Sequence, residues 1–150
     1  MIDIGERITR LAVMKLCKYY KMRHLRYKKC IALCNINPIN KAGVTATARV
    51  LLAAKPGERE LLRGPSKSEP GEFVKIEGFT RDNLYEPLYA LHRFDRPKRI
   101  PKRKIFSAVS PDLKINADRI ATYRDTPLYV EGPNDKGYVM SKTITNGCIR

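Results

Sequence analysis

The stretch Val44-Thr45-Ala46-Thr47-Ala48-Arg49-Val50-Leu51-Leu52-Ala53-Ala54 decides the fold. Val44, Ala46, Ala48 and Val50 alternate with Thr45, Thr47 and Arg49, and a period of two places the sets on opposite faces of a strand. Small and β-branched side chains fit a pleated, half-buried surface, so the segment reads as a strand with Thr and Arg outward. It is the clearest strand of the chain.

Upstream, Asn35–Gly43 carries three Asn, one Pro and one Gly in nine residues, which is turn chemistry. Before it, Cys30-Ile31-Ala32-Leu33-Cys34 reads as a short buried strand with both cysteines on one face. Arg7 to Lys29 interleaves Lys and Arg with Tyr19, Tyr20, Met22, Leu25 and Tyr27. Its periodicity is ambiguous, fitting a helix through Leu11 and Met14 or a strand through Ala12, Met14 and Leu16.

Downstream, Lys55–Gly71 holds three Pro and three Gly and reads as loop. Phe73–Phe79 is a strand candidate with Val74 and Ile76 on one face, and Leu84–His92 a short helical turn. Arg96–Lys104 packs six cations into nine residues, kept extended by its prolines. Ile105–Leu113 reads as a short helix ending near Pro111, and Ile120–Tyr123, Leu128–Glu131 and Tyr138–Met140 as short strands. Short strands separated by turns predict a mainly β protein, a small barrel or sandwich.

Thirty Lys+Arg against 15 Asp+Glu in 150 residues give a net charge of +15. Self-repulsion of that size destabilises a compact chain unless an anionic partner offsets it, and this points to nucleic acid. No apolar run approaches the ~20 residues of a membrane span. The cysteines at 17, 30, 34 and 148 and the histidines at 24 and 92 form no zinc pattern, so no metal or cofactor is expected. With no signal peptide in the sequence as it stands, reduced thiols and a cytoplasmic setting are expected. Phosphate loops, nucleophile elbows and zinc-protease motifs are absent, which argues against an enzyme.

Two basic tracts are candidates for phosphate contact, because several cations on one segment can follow a backbone without reading sequence. One comprises Arg10, Lys15, Lys18, Lys21, Arg23, Arg26, Lys28 and Lys29. The other comprises Lys98, Arg99, Lys102, Arg103 and Lys104. Thr45, Thr47 and Arg49 add a polar strand face, beside which tyrosines could stack on unpaired bases.

Asn35-Ile36-Asn37-Pro38, Gly43-Val44 and Ala48 resemble the tRNA-binding domain of endothelial monocyte-activating polypeptide II. That domain also occurs in the yeast aminoacyl-tRNA synthetase cofactor and on some tyrosyl-tRNA synthetases. The likeness continues through Pro65, Pro70-Gly71, Phe79, Pro101-Lys102-Arg103-Lys104-Ile105-Phe106, Pro111-Asp112-Leu113, Ala121-Thr122-Tyr123, Pro127 and Thr143–Arg150. It implies an oligonucleotide/oligosaccharide-binding (OB) barrel over residues 1–80 and a small β-rich C-terminal extension with short helices over 81–150. An ungapped reading back from Asn35 leaves nine residues for the family's first two strands, so a barrel lacking them is expected. A partner or an RNA particle is then expected to cover the open edges. Within the signature the family's Arg is Ala42, its Ser is Ala46 and its Met is Arg49. Asn35 matches a family tRNA contact, and Lys41 and Arg49 take over the basic role. The resemblance implies a non-catalytic tRNA-binding accessory protein with a synthetase as partner. The alternatives are a ribosomal protein on rRNA and a protein-interaction or cytokine-like module.

Overall fold

The computed structural model describes residues 1–14, 16, 18–78 and 105–150. The helical turn expected at Leu84–His92 and the tract Arg96–Lys104 lie outside them.

Eleven short strands appear among the described residues: β1 Ile31–Leu33, β2 Ile39–Lys41, β3 Val44–Ala46, β4 Arg49–Lys55, β5 Glu58–Leu61, β6 Val74–Ile76, β7 Leu113–Ile115, β8 Ala121–Tyr123, β9 Thr126–Glu131, β10 Lys136–Tyr138 and β11 Cys148–Ile149. A helix, α1 Ile105–Val109, passes into a 3₁₀ turn at Ser110–Asp112, where Pro111 stops it. The architecture is mainly β, as expected.

Nine strands form one antiparallel sheet in the order β1-β4-β11-β7-β8-β9-β10, with β5 also paired to β4 and β6 to β9. Strand β11 joins the early strands to the late ones, since Cys148 pairs with Ala54 of β4 and with Lys114 of β7. Its short ladder is extended by reciprocal backbone bonds between Leu52 and Arg150, at 2.7 and 2.9 Å. Two isolated bridges at Met140, to Arg63 and to Ile120, tie the two parts together again.

The deciding stretch becomes two strands. Thr47 and Ala48 break it, because both their N–H groups donate to the carbonyl of Leu11, at 2.8 and 2.9 Å. The alternation survives the break, since Ala46, Ala48 and Val50 are buried while Thr45 and Arg49 are exposed. Val44, expected inward, is 38% exposed on the separate β2–β3 hairpin. Beyond Val50 the alternation stops because β4 is covered on both faces. Leu51 and Ala53 enter the main core with Leu62, Ile115, Ala121, Val130, Val139 and Ile149. Val50 and Leu52 enter a second cluster with Leu16 and Leu61.

Two segments read as loop contain strands. Residues 39–41 of the Asn-rich turn pair with β3, and the reversal is confined to Ala42 and Gly43, whose φ values of 52° and 75° both lie in the left-handed region. Residues 58–61 of the Pro/Gly-rich segment pair with β4 across a turn at Pro56-Gly57, where Gly57 has φ 79°. Strand β7 carries the short alternation Leu113-Lys114-Ile115, whose first residue the sequence assigned to the preceding helix, and β11 is only two residues long. Among the described residues before β1, regular structure is a bridge between Ile2 and Arg10 and a 3₁₀ turn at Met22–His24.

Candidate nucleic-acid interface

The basic N-terminal third forms the cover of the second core. Leu16 is 4% exposed, and Ala12, Tyr19, Tyr20, Leu25 and Cys30 pack around it against Val50, Leu52 and Leu61. Burial of these groups is what orders a segment with so little backbone pairing. The Tyr20 hydroxyl accepts the Leu61 N–H at 3.2 Å, which fixes the cover to the last residue of β5. With positions 16, 19, 20 and 25 turned inward, Lys18, Lys21, Arg23, Arg26 and Lys28 are left exposed to water.

The edge of this cover meets β5 and the segment before β11, enclosing an open groove of about 700 Å³. Arg23, Arg26 and Lys28 of the cover line it together with Arg59, Arg63 and Lys142. Tyr19 lines it too, with the Arg59 guanidinium 5.8 Å from its ring centroid. None of these six cations forms an ion pair among the described residues, whose pairs are Arg10–Glu6, Lys75–Glu131, Lys136–Glu131 and Arg124–Asp112.

Two carboxylates border the groove, and one is already committed. Glu60 is 7% exposed. It accepts the N–H groups of Thr143 and Ile144 at 2.8 Å each and the Thr143 hydroxyl at 3.1 Å. Burial alone would raise the Glu60 carboxyl, but hydrogen bonds from Ile144, Thr143 and Lys142 outweigh it and hold its pKa below the ordinary value of 4.5. Glu60 therefore stays ionised and anchors the wall that carries Lys142. Only Glu58 offsets the cations in the open, and a polyanion replacing water there meets a surplus of positive charge.

The remaining sequence candidates have varied surroundings. Arg10 forms a fork with Glu6, at 3.0 and 2.8 Å, and does not line the groove. Lys29 turns the other way, its ammonium donating to the carbonyls of Ser66 and Ser68 at 2.5 Å each and Pro65 at 3.5 Å. Asn35 and Lys41 are exposed, with Lys41 beside the β2–β3 turn. Arg49 is exposed with its guanidinium 4.3 Å from the Phe106 ring centroid. Lys15, Lys98, Arg99, Lys102, Arg103 and Lys104 lie outside the described residues. Sequence reading missed Arg59, Arg63 and Lys142, which lie singly among other residues with no local pattern to mark them.

Cys30 is a half-buried thiol packed against the second core and Cys34 a half-buried thiol outside both core clusters, and burial pushes both above their ordinary pKa. Among the described residues no cluster of three or more His, Cys, Asp or Glu side chains could hold a metal ion. Among them, too, no helix is long and apolar enough to cross a membrane.

No family model matches the chain. Known proteins do. The aminoacyl tRNA synthase complex-interacting multifunctional protein 1 of Mus musculus is 31% identical over 149 residues, covering 99% of this chain and 43% of its own length. Over that stretch the chain is similar to this protein, in line with the resemblance to the tRNA-binding domain of endothelial monocyte-activating polypeptide II. The tRNA-aminoacylation cofactor of Schizosaccharomyces pombe is 30% identical over 140 residues, with 89% of this chain and 29% of that protein covered. A cytoplasmic methionine–tRNA ligase of Caenorhabditis elegans is 30% identical over 129 residues, 86% of this chain and 13% of the ligase. The chain thus spans less than half the length of these curated relatives. Among solved structures, the C-terminal domain of Plasmodium vivax p43 superposes with a TM-score of 0.75 at 19% identity, covering 99% of this chain and 81% of that one. At that identity the likeness is one of fold, and it agrees with the OB-like, mainly β architecture.

Proposed function

We propose that the chain is a non-catalytic tRNA-binding accessory protein of translation, acting in the cytoplasm alongside an aminoacyl-tRNA synthetase. The observation that carries this is the groove in which Arg23, Arg26 and Lys28 converge with Arg59, Arg63 and Lys142. Cations spaced along an open channel suit a phosphate backbone, which they position without reading bases. Support for tRNA as the RNA comes from the relatives, one a tRNA-aminoacylation cofactor and another named as interacting with the synthase complex. The exposed Lys18, Lys21, Asn35, Lys41 and Arg49 and the tract Lys98–Lys104 are proposed as outlying contacts. The division into a barrel over 1–80 and an extension over 81–150 is kept as part of this proposal, with β11 as the link between them. A protein partner over exposed strand edges is kept in the same way.

Ultraviolet crosslinking in cells, followed by sequencing of the bound RNA, tests the reading. Enrichment of tRNA, with crosslinked peptides containing Arg26, Lys28 or Arg59, is expected. Enrichment of rRNA without tRNA would transfer the protein to the ribosome.

A further inference from the structure

A second depression, of about 450 Å³, opens beside the first, and Arg63 and Lys142 line both. The two depressions are therefore neighbours that share these two cations. The second differs in chemistry. Pro65, Gly137 and Met140 give it an apolar floor, and Tyr138 stands at its side with 47% of its surface exposed. Tyr27 and Phe73 are more exposed still, but Tyr138 is the aromatic residue that lines this depression, and its ring offers a face to a planar ligand.

The cationic rim is fixed in place. Arg63 is held by reciprocal backbone bonds to Met140, at 2.9 and 2.8 Å. Arg119 donates from Nη1 to the carbonyl of Lys142 at 3.0 Å, which sets its guanidinium against the rim. Its own backbone is locked at φ 67° by bonds to Asn116 and Ser141. A guanidinium carries five N–H donors, and among the described residues Arg119 uses one of them.

We propose that this second depression is a subsite for one unpaired nucleotide of the bound RNA. The base lies against Tyr138 over the apolar floor, and the flanking phosphates meet Arg63, Arg119 and Lys142. The volume is in the range of a small-ligand pocket. A base-paired helix keeps its bases stacked inside and presents backbone and groove edges, whereas an unpaired base can be splayed onto an aromatic ring. The inference rests on the proposed RNA-binding function and adds to it a preference for single-stranded segments.

The test compares two RNA probes by fluorescence anisotropy: an unstructured single-stranded hexanucleotide and a blunt RNA duplex. Tyr138→Ala is expected to weaken hexanucleotide binding roughly five- to tenfold and to leave duplex binding within about twofold. Tyr138→Phe keeps the ring and is expected to bind the hexanucleotide like the unsubstituted protein. The pair Arg23→Ala and Arg26→Ala is expected to weaken both probes. The subsite is refuted if Tyr138→Ala leaves hexanucleotide affinity unchanged, or lowers both probes equally. Failure of the unsubstituted protein to bind either probe would instead overturn the proposed function, and this subsite with it.

Discussion

Glu60 on β5 closes its carboxylate around Thr143, taking the backbone N–H at 2.8 Å on Oε1 and the hydroxyl at 3.1 Å on Oε2. Oε1 also takes the Ile144 N–H, so a single buried side chain satisfies two backbone donors from a segment 83 and 84 residues away. These bonds fix the strand-side wall of the groove to the chain that carries Lys142. Glu60→Ala would leave both donors unpaired in a nearly closed site, and we expect it to lower unfolding free energy by about 2–4 kcal/mol. Urea denaturation at neutral pH measures this directly.

The same contact gives the protein an acid sensitivity. The Glu60 carboxyl is held below 4.5 in the folded state, so folding favours its ionised form. Its contribution is fully present above 4.5 and is lost as the pH falls through the lower folded value. Denaturation midpoints measured from pH 6 down to pH 3 should therefore decline more steeply for the unsubstituted protein than for Glu60→Gln.

The β2–β3 turn holds a non-glycine residue where glycine is preferred. Ala42 sits at φ 52° ahead of Gly43 at 75°, the pattern of a two-residue hairpin turn that favours Asn-Gly or Gly-Gly. A left-handed conformation costs an L-residue roughly 1–2 kcal/mol, part of which glycine gives back in unfolded-state entropy. Ala42→Asn is expected to raise stability by about 0.5–1 kcal/mol, read as a higher melting temperature. An unchanged or lower value would show that the turn is not held as described.

Lys28 and Lys29 are neighbours with opposite work. Lys28 lines the groove, while the Lys29 ammonium binds three carbonyls of the 65–68 loop. Lys29→Ala should cost about 1–2 kcal/mol of stability with RNA affinity nearly unchanged, and Lys28→Ala should do the reverse. Parallel denaturation and binding measurements on the two variants separate the roles.

Reading the sequence recovered those elements whose pattern is local. Ala46, Ala48 and Val50 alternate, Val74 and Ile76 share a face, and Pro111 ends a helix. Strands β5 and β11 gave no such signal. The first is hidden between prolines and glycines, and its register comes from pairing with Leu52–Lys55. The second is two residues held by β4 and β7, which only the folded chain brings together. The groove was half legible for the same reason. Arg23, Arg26 and Lys28 stand out as a basic run, but Arg59, Arg63 and Lys142 lie singly among other residues and join that run only through the sheet. Charge density alone did not distinguish Lys28 from Lys29, whose side chains point to different places.

The groove as a phosphate-binding channel is tested most directly by the salt dependence of tRNA binding. The slope of log affinity against log salt counts the phosphates neutralised. Replacing Arg23, Arg26 and Lys28 together by alanine should make that slope shallower by about two to three, with the melting temperature little changed, since all three side chains are exposed. A triple variant that folds normally and keeps the slope of the unsubstituted protein would contradict the account.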